Sequence, residues 1–396
     1  MQKKRFFKSL FVAALGASLF FSCNKTDETL AGDTEDSTLV SDSSVTDEDS
    51  IVVDTTASDT TASMTMPDDW VVDIPDALSN REGVRSSRVI DTLINGADYY
   101  VMMTQFIGLA EEAAEYVDQI MKGISANNIT GPTTITFLGE DSREKTLVVT
   151  ENSEYDGETW GLYGMVKDQD GDTAIQVWWN TGVARGISIV SPANMNKNIV
   201  SELNALYKVY YSAVSSDYDE EMEISVITDM EDDRFSVDKM KMHVGSKDGI
   251  VKLYGNSNHP NAYLYDGMSS EAKNWAFIAK ADRMKEIAVA ATAIPPSSVS
   301  TNETIIEDYS LRNVVLDMIP LIRDSLDVPA FATDEMLLDQ FTVNLGKPAY
   351  FSKEEGFISA GEDLPVIGGF TTDFSNLDGL KPYVPADVRD LKVSFK

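Results

Sequence analysis

The stretch from Lys239 to Tyr254 reads KMKMHVGSKDGIVKLY, and its reading decides the fold. Met240, Met242 and Val244 alternate with Lys239, Lys241 and His243. That period of two puts apolar side chains on one face of a strand and polar ones on the other. Lys247-Asp248-Gly249 follows, and Asp-Gly favours the positive φ angles of a tight hairpin turn. Ile250–Tyr254 then returns as a second strand. Asp-Gly pairs recur at 156–157, 170–171 and 266–267. Around them lie strand-like runs at Thr133–Leu138, Lys145–Thr150, Trp160–Val166, Thr173–Asn180, Arg185–Val190, Met222–Thr228 and Phe235–Val244. Further runs follow at Ala262–Tyr265, Trp275–Ala279 and Glu286–Ala291. About eleven strands joined by short turns predict a large antiparallel β-sheet or open barrel.

Helical periodicity flanks this pattern. Over residues 97–123, Tyr100, Met103, Ile107, Ala110, Ala114, Val117 and Met121 recur at steps of three and four, with Glu111, Glu112, Glu115 and Asp118 off that stripe. The acids read as a solvated face. Ile199, Leu203, Leu206 and Tyr210 predict a second helix over 195–214, crossing one end or face of the sheet. Beyond residue 300 the chain reads as α and irregular. Thr304–Leu326 has helical period, with Pro320 expected to kink or end it. Asp334–Phe341 is a shorter helix, and Ala349–Ser352 and Asp390–Phe395 are strand-like. The fold class is α+β: a sheet with a preceding and a crossing helix over 67–295, then a helical or irregular region or cap over 296–396.

Composition narrows the function. The 396 residues hold 32 Lys+Arg against 65 Asp+Glu, a net charge of −33, which argues against nucleic acid as partner. A single Cys excludes a disulfide framework and a Cys-based zinc site, and two His exclude a His-rich metal centre.

The one cysteine sits in an informative place. Lys3, Lys4, Arg5 and Lys8 precede an apolar run from Ser9 to Phe21, then Ser22-Cys23. The run is shorter than the ~20 apolar residues that span a bilayer, so residues 1–22 read as a secretory signal. The arrangement resembles a bacterial lipoprotein signal, which implies a lipidated Cys23, with Phe20 where the usual pattern prefers Leu. Residues 23–66 read as the lipidated Cys followed by a self-repelling acidic, Ser/Thr-rich disordered tether without an aromatic residue. Cys23-Asn24-Lys25-Thr26-Asp27-Glu28 resembles the start of mature surface lipoproteins from Bacteroidota, which implies a palmitate-type anchor in the outer membrane, with surface exposure as an option. Asp36-Ser37-Thr38, Asp54-Thr55-Thr56 and Asp59-Thr60-Thr61 fit that group's O-glycosylation triplets.

Candidate sites in the remainder are of three kinds. Asp168, Asp170 and Asp172 present alternate oxygen ligands of the sort calcium uses, but without the Gly and Glu spacing of an EF-hand, so an acidic hairpin tip is the plainer reading and no cofactor is expected. His259, placed in a loop between strands, has the chemistry of a general acid or base, but no GxSxG elbow accompanies it. Gly182–Gly186 lacks the Lys-Ser/Thr of a phosphate loop. Trp178-Trp179 on a strand must point to opposite faces, so one faces the core and the other faces a ligand or a second layer. Together with Trp160, Met240, Met242 and Trp275 they are suited to line a cavity for an apolar ligand. A helix, a long antiparallel sheet and a crossing helix are similar in outline to periplasmic lipoprotein-carrier folds. Three functions stay open: a membrane-anchored carrier of an apolar ligand or lipid, a cell-surface glycan- or protein-binding module, and, third, a hydrolase.

Overall fold

The computed structural model of the chain describes residues 70–79, 96–198, 205–228, 237–260, 273–325, 328–341, 348–360, 368–371 and 373–396. The signal, anchor and tether segments lie outside the described residues, as does the strand expected at Ala262–Tyr265.

Thirteen strands form one antiparallel sheet in which each strand pairs with its neighbours in sequence. They are β1 (Thr133–Leu138), β2 (Glu144–Tyr155), β3 (Glu158–Asp168), β4 (Thr173–Trp179), β5 (Arg185–Val190), β6 (Leu206–Ser212) and β7 (Glu220–Ile227). Next come β8 (Lys239–Lys247), β9 (Ile250–His259), β10 (Lys273–Asp282), β11 (Ile287–Ala293), β12 (Ala349–Ser352) and β13 (Gly356–Ala360). β1 and β13 are the two ends of the order and do not pair, so the sheet is open rather than closed. The turn chemistry is as the sequence requires. Asp156-Gly157 and Asp248-Gly249 have φ of 53° and 80°, and 52° and 76°. Each forms a two-residue loop, closing Tyr155 against Glu158 and Lys247 against Ile250.

The helices are α1 (Asp76–Ser79), α2 (Gly96–Ala126), α3 (Pro192–Met195), α4 (Ile305–Asp308), α5 (Leu311–Ser325), α6 (Asp334–Phe341) and α7 (Pro385–Arg389). The apolar stripe of α2, from Tyr100 to Met121, is no more than 3% exposed and packs on one face of the sheet, called here the inner face. Asp118 differs from the expected solvated face. It is buried, accepts the Trp70 N–H at 3.1 Å and pairs with Lys122 at 2.9 Å, tying the residue-70 segment to α2.

Four expectations need correction. The crossing helix over 195–214 is absent from its described part: α3 ends at Met195 and Leu206–Ser212 is β6. Leu206 and Tyr210 are four apart, but Tyr207, Val209 and Tyr211 alternate into the inner core while Leu206 and Tyr210 pack on the other face. Because both faces are covered, a strand there looks apolar at both periods, and pairing with β5 and β7 decides between them. The helix predicted over Thr304–Leu326 breaks at Tyr309-Ser310, not at Pro320, because Ser310 bridges Ala293 and the Tyr309 carbonyl accepts from Ile294 at 2.9 Å. Asp390–Phe395 is no strand. It follows α7 as an extended tail on the second, outer face of the sheet, whose strands beneath it are already paired on both sides. The C-terminal region is not a separate cap, since β12 and β13 continue the same sheet.

Candidate binding surface

The residues expected to line a cavity are divided between the two faces. Trp179, Met240, Met242 and Trp275 lie in the inner core under α2, each at 0% exposure. A side chain lining a ligand cavity keeps accessible surface, so these four serve as packing. Trp160 and Trp178 belong to an outer cluster with Ile187, Ile189 and Val393. Trp178 donates its indole N–H to Ser153 Oγ at 3.2 Å, with the Tyr155 and Tyr163 rings at 4.2 and 5.0 Å. These two tyrosines lie against Trp178, and the C-terminal tail joins the same cluster. Val393 packs into the cluster, and the Gln176 carboxamide grips the Lys396 backbone by accepting its N–H at 2.8 Å and donating to its C=O at 3.2 Å.

The acidic tip is occupied by cations of the chain itself. Asp168 is buried and accepts from Arg143 and, at 2.5 Å, from Lys145 Nζ. Lys145 is wholly buried and also donates to Asp141 at 2.9 Å and to the Asn194 carbonyl at 3.2 Å. Asp170 pairs with Arg143 at 2.9 Å and Asp172 with Lys197 at 2.5 Å. Burial alone would raise the Asp168 pKa, but the hydrogen bonds from Arg143 and Lys145 outweigh it and hold the carboxyl well below the usual range. Among the described residues, no group of three or more His, Cys, Asp or Glu is arranged to hold a metal ion.

His259 is not in a loop. It ends β9 at 0% exposure, bonded to Ser257 at 2.7 Å and packed on Phe106 of α2 and on Trp275, with ring centroids at 4.5 and 5.1 Å. β9 runs on five residues past the predicted Tyr254, which carries His259 into the core.

The outer face carries what the sequence reading missed. Cross-strand register aligns Trp178, Ile187, Tyr210, Glu223, His243, Tyr254 and Ile278 in one row over seven strands. Residues 373–396 run above this row as a strap. At Tyr383 the strap meets the middle of the row: its hydroxyl donates to Glu223 at 2.9 Å, Lys241 Nζ lies 4.4 Å over its ring, and Tyr254 is 5.3 Å away. Buried Asn256 fixes the strap by donating to the Tyr383 carbonyl at 2.8 Å, and accepts in turn from Asn274 at 2.9 Å. Burial, then the Glu223 carboxylate, pushes the Tyr383 phenol far up, so it stays a donor. His243 stacks on Tyr254 at 4.9 Å, and burial pushes its pKa down against the carboxylates of Glu221 and Glu223.

At the Ile278 end of the row, a cleft of about 500 Å³ lies between residues 302–313 and strap residues 374–382. Its apolar floor is Ile278, Ile306, Phe374, Leu377 and Leu380. Asn302, Thr304, Asn313, Glu307, Arg312 and Lys381 stand at the polar rim. The volume falls within the range that small-molecule sites span, and the lining mixes apolar and polar side chains. Its residues come from three parts of the chain: Ile278 of β10, and two segments some seventy positions apart. The sole hint in the sequence was the parity of Tyr254 against the methionines of its hairpin. No protein-family model, curated protein or solved structure matches the chain.

Proposed function

We propose that the chain is a non-catalytic binding protein, anchored in the bacterial outer membrane through lipidated Cys23, that takes a short neutral glycan in the outer-face cleft. The cleft carries this reading: an apolar floor with an aromatic edge at Phe374 suits the C–H face of a sugar ring, and the amides, hydroxyl and carboxylates at its rim suit the ring hydroxyls. A neutral ligand follows from charge. The chain is 33 units negative overall, and Glu303, Glu307 and Asp378 outnumber Arg312 and Lys381 at the cleft, so an anionic ligand meets repulsion both at distance and on contact. Catalysis has no part in the reading, since the His259–Ser257 pair is enclosed in the core.

A panel of neutral oligosaccharides, presented to the protein with a Phe374→Ala control, tests this. Binding weakened about tenfold or more by Phe374→Ala supports it, a loss of ~1.4 kcal/mol. The five apolar floor residues favour one second reading, an apolar or lipid ligand in the same cleft. Retention of fatty acids and no sugar from the panel would establish that reading in place of the first.

A further inference from the structure

An open sheet has two edges, and this one defends them unequally. β13 is five residues long, begins with Gly356 at a φ of 69°, and pairs with β12 through a register shift at Tyr350-Phe351. Short length, glycine and irregular pairing are the devices that keep edge strands from recruiting a further strand. β1, at six residues, is only one longer, but it has neither the glycine nor the irregular pairing. Thr133-Thr134-Ile135-Thr136-Phe137-Leu138 is an uninterrupted run of residues that favour strands, paired with β2 without irregularity. It contains no charge, no proline and no glycine, and residues 123–139 hold no charged residue in a chain that is 24% charged. Thr134 and Thr136 are exposed, and Leu138 is 60% exposed. Among the described residues, no backbone group bonds to the outer side of β1.

We infer that β1 is an interaction edge, and that its occupant is the β1 of a second copy of this chain, paired antiparallel across a two-fold axis. The argument for a second copy is self-complementarity. A pairing that keeps core side chains on the core side must match residues whose numbers have an even sum. The register centred on Thr136 does so. It sets Thr136 against Thr136, Ile135 against Phe137 and the exposed Leu138 against Thr134. Thr–Thr and aromatic–β-branched pairs are both favourable across strands. In that register Glu140 falls opposite Pro132 of the other copy, so no carboxylate faces a carboxylate at the seam. The neutral seam matters, because each copy has a net charge of −33, and like charges closer than the screening length of ~8 Å at physiological salt repel. With β13 defended, the contact is isologous and closes at two copies instead of growing into a fibre. The inference stands apart from the cleft, whose residues lie elsewhere on the sheet.

The test uses the full chain in its own membrane. Thr136→Cys adds the second cysteine of a protein whose first is Cys23, and places two thiols across the axis, where opposed Cα atoms lie ~4.5–5.5 Å apart, within disulfide reach. Thr301→Cys, equally exposed and remote from β1, is the control. The expected result is a disulfide-linked species of twice the chain mass from Thr136→Cys and none from Thr301→Cys. In detergent, wild type should sediment as a dimer that tightens as salt is raised, with a thermal midpoint that rises with protein concentration, and Thr136→Lys as a folded monomer whose midpoint does not depend on concentration. Equal cross-linking by the two variants, a cross-link to a protein of different mass, or a monomeric wild type overturns the inference.

Discussion

Lys145 shows how much depends on single residues in a chain so rich in acid. It is wholly buried, and its ammonium holds the buried carboxylates of Asp141 and Asp168 together across β2 and β3. Removing one member of such a set leaves uncompensated buried charge, so Lys145→Met should lower the unfolding free energy by about 3–5 kcal/mol, measured by urea denaturation. Acid should act on the same cluster. For both Asp141 and Asp168, burial alone raises the pKa, but the hydrogen bonds they accept bring it below the ordinary carboxylate value. A depressed native pKa contributes stability that is complete above the unfolded value of about 3.9 and is lost as pH falls further toward the native one. Thermal midpoints taken from pH 5 downward should therefore fall below about pH 4. Asp168→Asn should flatten that slope while lowering the plateau. An unchanged slope in Asp168→Asn would mean that other carboxylates carry the acid sensitivity.

Among the elements, the extended tail after α7 carries the clearest consequence. It has no ladder of backbone bonds, and it is held by the Gln176 carboxamide, by Lys396 Nζ donating to the Glu154 carbonyl, and by Val393 in the apolar cluster of Trp160, Trp178, Ile187 and Ile189. Val393 is 8% exposed. Val393→Asp places a carboxylate against apolar surface and should cost about 2–3 kcal/mol. It should also wet Trp178 and shift tryptophan emission to the red. Unchanged emission would show that the tail does not seal Trp178. β9 and β10 show the opposite kind of constraint, close approach of backbone and ring. Gly255 lies under the Phe277 ring, and a methyl group there would overlap the ring carbons, so glycine is required by packing rather than by a turn. Legibility followed the same division. The helix α2 and the Asp-Gly hairpins were plain because one face of each element, or two adjacent residues, contain the whole signal. β6 was misread because burial on both of its faces erases the alternation on which a strand is recognised.

At the scale of the molecule, the sheet separates two regions: an inner face filled by α2 and an outer face crossed by a strap whose first residues form one wall of a cleft. Cys23→Ala should move the protein from the membrane to the soluble fraction and abolish palmitate labelling, whereas retention in the membrane would mean that something other than Cys23 anchors it. The amino-acid sequence by itself determined the β-rich architecture, the antiparallel hairpins, the long helix that precedes them and the acidic character that weighs against nucleic acid. Each of these is local in the chain, a period, a turn dipeptide or a sum of charges. Only the tertiary structure decided that Trp178 is buried in a cluster the tail joins, that His259 is in the core, that Asp168 is held by Arg143 and Lys145, and that residues 302–313 and 374–382 enclose a cleft. A strand's period states which side chains share a face, but what covers that face is set by segments up to two hundred residues away, through burial that no local pattern records.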